Sequence, residues 1–192
     1  MNESFKLKKM IDKESIHKRL LDLKTYSVDE DHIIVEGHLK DNRVQTTYDF
    51  YGKIQKPGII HNMIIRILVG GMPLSILDAE AEMATVPNEL CSSTLDSIKE
   101  IIGLKIKGGF GENVHRRIGG VKGCVHLTHL IVTMGQEAVH GAWINEMMRK
   151  TPDQEFYIDA ESEGLLINSC SLWRKDGPLV KEFAEFFKKR ER

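Results

Sequence analysis

The chain has almost no net charge: 27 basic residues stand against 28 acidic ones, for a formal charge of -1. It lacks a whole-molecule field that would gather nucleic acid or anionic lipid, so neither is expected as a partner. Long apolar runs are also missing. The longest, Ile59 to Val69, is interrupted by His61, Asn62 and Arg66 and falls short of the roughly 18 residues that a membrane span needs. The opening stretch MNESFKLKKMIDKES carries lysines but no continuous apolar segment and no small-residue cleavage site, so a cytoplasmic location is expected. Cysteine is scarce. Cys91, Cys124 and Cys170 make neither a CxxC redox pair nor a disulfide framework, which leaves them as thiols whose commonest fate is burial as small hydrophobes. No GxxxxGK[ST] or strand-to-helix GxGxxG occurs, so GGFG and GGVKG do not read as phosphate-cradling loops.

What is present suffices for one core. With 192 residues, 41% hydrophobic and 29% charged, residues 1–192 are expected to form a single domain, with 1–18 a peripheral arm or helix. TYSV and HIIVEGHL, separated by the acidic turn DED, suggest an antiparallel hairpin. A second pair, IIHNMIIRILV and LSILDAEAEMATV, flanks GGMP. Alternation in the last strand puts Leu77, Ala79, Ala81 and Met83 on one face and Asp78, Glu80 and Glu82 on a solvated one.

After Pro87 the apolar period changes from two to about 3.6. Ser92, Ser93 or Thr94 is expected to cap a helix carrying Leu95, Ile98, Ile101 and Ile102, with Gly103 as its stop. GLKIKGGFGENVHRRIGG reads as a glycine-rich link with one short helical turn. The strongest helix begins near Val121 or Cys124 and carries Leu127, Leu130, Ile131, Met134, Ala138, Ala142 and Met147, with TPDQE marking its end. A final amphipathic helix follows the turn DGP, with Val180, Phe183, Phe186 and Phe187 expected to face inward. The fold class predicted is α+β: an antiparallel sheet from the N-terminal half packed by helices from the C-terminal half.

The chemistry-bearing residues gather near GGVKGCVHLTHL, residues 119–130. A thiol at a helix mouth meets unpaired N–H groups and the positive end of the dipole, which favour its anion, and a thiolate is both a nucleophile and a soft metal ligand. Cys124 with His126 is therefore the candidate reactive pair. Cys91 occupies a comparable place before the preceding helix. Should the two converge, they supply half of a tetrahedral site for zinc or iron, which His126, His61 or Cys170 would complete. His126, His129, Thr133, Glu137 and His140 form a ridge opposite the apolar stripe, and the plain reading of that ridge is a solvated surface. ExxH spacing at Glu112–His115 and Glu137–His140 falls short of a di-iron site, which needs two more glutamates from other helices. His129 with Glu137 would serve a lyase, hydrolase or isomerase, but the two lie more than two helical turns apart.

VEGHLKD (35–41), HNMIIRI (61–67), LDAEAEM (77–83), Cys91, GLKI (103–106), GGVKGCVHLTHL (119–130) and INSCSLWRKDGPLV (167–180) resemble, in order, a bacterial family catalogued as a domain of unknown function. GGVxGCxHL is the most specific piece. Where that family's late motif resembles D-x-C-H-A, this chain has Asn168-Ser169-Cys170-Ser171, and HNM stands where His-Asp-Met is expected. The order of elements also resembles the NifU-like and SufE-like proteins of iron–sulfur assembly. That resemblance implies a site built from Cys91 and Cys124 with a neighbouring histidine, and His61 in the hairpin region where the scaffold's first cysteine lies. Since that cysteine is missing, it implies a zinc-like site or a single reactive thiol instead of a cluster scaffold. The function expected is metal or sulfur handling for a partner enzyme, with a homo-oligomer open. The alternatives are a non-enzymatic accessory module with structural cysteines, and a small-molecule lyase or hydrolase.

Overall fold

Two strands, β1 (His17–Ser27) and β2 (His32–Arg43), form the expected antiparallel hairpin. Its acidic turn is closed by Asp29, whose carboxylate accepts from the backbone N–H groups of Asp31 and His32, the Asx geometry that makes aspartate a turn former. The computed structural model describes residues 6–149, 167 and 170–190. A small arm of β3 (Thr47–Tyr48) and β4 (Ile54–Gln55) then leads to β5 (Gly58–Gly70) and β6 (Ser75–Thr85). The main sheet is antiparallel throughout, in the order β1-β2-β5-β6. Period-two alternation decides its faces. Ile33, Val35, Leu39, Met63, Ile65, Ile67 and Val69 are buried on the inner face.

The edge strand departs from the simple alternation. Leu68 pairs with Asp78 and Val69 with Ile76, so Leu77 is an extra residue in a β-bulge, which shifts the facing of its neighbours. Leu77, expected inward, is 43% exposed, while Ile76 takes the core position beside Ala79. The carboxylate row is also more than a solvated face. Arg66 on β5 donates to Glu36 on one neighbouring strand and to Glu80 and Glu82 on the other.

The helices lie on the inner face. After a lone N-terminal turn, α1 (Lys6–Lys9), which is exposed, the next helical segment is a 3-10 helix, Glu89–Ile101. Such helices are usually short. This one carries hydroxyls at Ser92, Ser93, Thr94 and Ser97, each donating to the carbonyl three residues back, which reinforces the tighter winding. Its cap is Asn88, whose side chain accepts from Leu90 N–H, and not one of the hydroxyl residues. Gly103, at φ 83°, turns the chain out, and its N–H bonds Ile76 on the sheet edge.

The glycine-rich link holds a full helix, α2 (Phe110–Ile118), longer than the single turn expected, followed by a 3-10 turn at Gly120–Lys122. The long helix α3 (Val125–Met147) begins with Cys124 as its cap and buries Leu127, Leu130, Ile131, Met134 and Ala138 against the sheet. No helix among the described residues is long and apolar enough to cross a membrane. In the last helix, α4 (Pro178–Arg190), Val180 is half-buried, while Phe183 and Phe186 are 37% and 55% exposed; Phe183 meets the ring of Trp173. The side chain of Phe187 and the segment TPDQE lie outside the described residues.

Close approach of α3 depends on small residues. A Cβ at Gly135 would come within 2.4–2.6 Å of the Phe110 ring on α2, and one at Gly141 would meet Thr25 on β1 at a similar distance. Gly135→Ala is therefore expected to lower stability: overpacking costs about 1–3 kcal/mol, against a gain of about 1 kcal/mol in helix propensity. Chemical denaturation checks this, and a midpoint at or above wild type would show that the Phe110 ring yields freely.

Candidate metal centre

At one end of the inner face an acid occupies a position that alternation reserves for apolar residues. Asp41 follows Val35, Gly37 and Leu39 along the buried side of β2, and its side chain is 2% exposed. Register supplies its partners, because Arg19 on β1 and His61 on β5 lie directly opposite it. Arg19 holds the carboxylate with both arms of its fork, Nε to Oδ1 and Nη2 to Oδ2, each at 2.7 Å. His61 Nδ1 lies 3.0 Å from Oδ2. His17, next along the same face of β1, places Nε2 3.7 Å from Oδ1. The β2–β5 register shifts just after Asp41 and the β5–β6 register just after Asn62, so irregularities flank His61 on both sides, as bulges commonly do where a strand aims a functional side chain.

The helix completes the group. His126, the second residue of α3, extends Nε2 to 3.6 Å from Asp41 Oδ2, and its ring lies against that of His61 with centroids 3.8 Å apart. One oxygen, one His61 nitrogen and one His126 nitrogen thus lie within 4.8 Å of one another. Cys124 Sγ stands at the far edge of the same imidazole, 3.8 Å from His126 Nδ1, and also packs against the core.

Electrostatics set the protonation states. Arg19 beside Asp41, assisted by His61 and opposed by burial, holds the carboxyl below the ordinary carboxylate range. Burial, then the neighbouring His61 and Arg19, push His126 from its ordinary 6.5 down to about 4, with Asp41 only partly opposing them. His126 is therefore a neutral imidazole at neutral pH, the form that can ligate a metal.

The structure joins two of the residues singled out from sequence, His61 and His126, and leaves Cys124 as a neighbour. Cys91 lies half-buried inside the first turn of the 3-10 helix and Cys170 is exposed. Among the described residues no group of three metal-ligating side chains contains Cys91, Cys124 or Cys170. The histidine ridge of α3 is split: His129 and His140 are exposed, whereas His126 turns to Asp41 and Glu137 accepts from Thr25 on β1. Neither ExxH pair joins a ligating group among the described residues. Asn62, standing where an aspartate was expected, bonds His38 instead on the opposite face from His61, so the centre does not lose a carboxylate by that difference.

Asp41, Arg19 and His17 were missed by sequence reasoning. The signal for Asp41 was present, as a charged residue in the inward register of an otherwise apolar strand face, while Arg19 and His17 gain meaning only once pairing register is known.

The family model described as Protein of unknown function (DUF2889) matches residues 17–140. The chain belongs to the DUF2889 family. The match runs from β1 to near the end of α3 and so spans every residue of the centre. Comparison with curated proteins and with solved structures gave no match. The likeness to NifU-like and SufE-like proteins is thus not among the findings.

Protonation of His126 gives a measurable pH dependence. In the unfolded chain its imidazole titrates near 6.5, in the folded protein near 4, so between these values the unfolded state binds more protons and stability falls as pH falls. Its contribution is intact above about pH 6.5 and declines toward pH 4 by up to about 1 kcal/mol per pH unit. Denaturation of metal-free protein at pH 7 and pH 5 should show this loss, and His126→Gln should show a smaller one; equal losses would remove His126 as the cause.

Proposed function

We propose that this DUF2889 protein binds one transition-metal ion, zinc or iron, through Asp41, His61 and His126. The observation that carries the reading is the spacing about Asp41 Oδ2: His61 Nδ1 at 3.0 Å and His126 Nε2 at 3.6 Å. Ligands about 2.0–2.1 Å from a tetrahedral zinc lie about 3.3 Å from one another, so these two separations fit two edges of such a site. Two imidazoles and one carboxylate also form the donor set of non-haem iron centres with open positions. Hard cations such as magnesium and calcium prefer all-oxygen sites and are not expected. Metal held here would serve chemistry at the open position or delivery to a partner enzyme.

Zinc titration of metal-free protein by calorimetry should give about one site per chain, and His61→Ala and His126→Ala should each weaken it by more than the 10–100-fold typical of residues that only support a ligand. Absence of stoichiometric zinc or iron binding, or wild-type affinity in both variants, would overturn the proposal.

A reactive thiol is the second reading, favoured by one observation: Cys124 caps α3 and lies 3.8 Å from His126 Nδ1. On this reading Cys124 carries sulfur or acts as nucleophile, with His126 as its partner. Brief alkylation of folded, metal-free protein should then label Cys124 faster than the half-buried Cys91, and His126→Ala should slow Cys124 alone. Labelling of Cys124 only on unfolding would leave it a packing residue.

A further inference from the structure

The centre has too little negative charge for the ion it is shaped to hold. Its ligating group offers one acid, Asp41, and that charge is already matched by Arg19, with a guanidinium nitrogen 2.7 Å from each oxygen. A divalent ion between two neutral imidazoles would therefore leave about two positive charges uncompensated in a place where the carboxylate itself is 2% exposed, and unpaired charge in such surroundings is costly. The missing anion has a place to bind. Arg19 spends Nε and Nη2 on Asp41, leaving Nη1. Arg19 is 36% and His17 46% exposed, so the Arg19–His17 side of the cluster opens to water. α3, whose second residue His126 reaches Asp41, begins at Cys124 with no side-chain cap and no acidic residue in its first turn, so its leading N–H groups stay available to an acceptor.

We propose that the metal centre takes a small oxyanion, a carboxylate or a phosphate, as its second component, bound at the mouth between Arg19, His17 and the first turn of α3. This rests on the metal-binding reading and names the class of ligand or substrate the same site would accept. Binding of the two components is reciprocal: the anion tightens metal binding by the factor with which the metal tightens anion binding. Carboxylate and phosphate share the required chemistry, negative charge spread over oxygens that accept from guanidinium and backbone N–H, and they differ in charge and shape.

The test titrates metal-free protein with cobalt(II), followed by its visible spectrum, in inert buffer alone, with added acetate and with added inorganic phosphate. The expected result is an affinity raised at least about fivefold by one of the anions, and the effective one identifies the source. Arg19→Gln should bind cobalt more tightly than wild type in inert buffer, because Asp41 is freed from a competing cation, yet lose the gain from the anion. His17→Ala, at an exposed position, should reduce that gain. Cobalt affinity indifferent to both anions, or a gain fully kept in both variants, would overturn the oxyanion proposal while leaving the metal site in place. Absence of cobalt binding under all three conditions would overturn both.

Discussion

A carboxylate placed on the apolar side of a strand holds its charge only if the fold brings it partners. For Asp41 these come from strand register: Arg19 directly opposite on one side, His61 directly opposite on the other. The carboxylate is 2% exposed, and a buried charge left without its partner is costly. A slip of one residue between β1 and β2 would be worse, since it would send every side chain of a strand to the other face. The requirement that Asp41 stay paired therefore ties the register of three strands to the site. Architecture and chemistry meet at that one carboxylate.

The second constraint is the distance between α3 and its neighbours. Gly135 admits the edge of Phe110, Gly141 admits Thr25, and Gly37 on β2 leaves room for Met134 and Leu130. Larger side chains at these points would lift the helix. The first turn of the same helix carries His126 to Asp41. Because protein interiors are close-packed, a displacement at one end of a rigid helix is carried to the other, so these glycines help to set the geometry of the centre.

The charges show why this cluster differs from an ordinary surface network. Arg66 with Glu36, Glu80 and Glu82 lies on the outer face, where water screens it, and pairs of that kind contribute little to stability. At Asp41 the carboxylate itself is out of water, 2% exposed, beside two imidazoles, one of them pushed toward neutrality. Burial of that carboxylate sets the cluster apart from the outer-face network.

Sequence alone determined the class of fold, two hairpins followed by helices, because the period of apolar residues is a local property that survives without knowledge of partners. It also marked His61 and His126 as chemistry-bearing, and placed Cys124 at a helix mouth. It misjudged Leu77, since a bulge depends on the pairing strand, and it placed Cys91 before a helix in which the residue in fact lies, since Asn88 caps the segment three residues earlier. It grouped cysteines by their position relative to helices, whereas the structure grouped His61 and His126 with Asp41. Only the tertiary structure could make that choice: the three side chains come from two strands and a helix, and their meeting depends on register and on helix–sheet distance, neither of which is written in the spacing of residues along the chain.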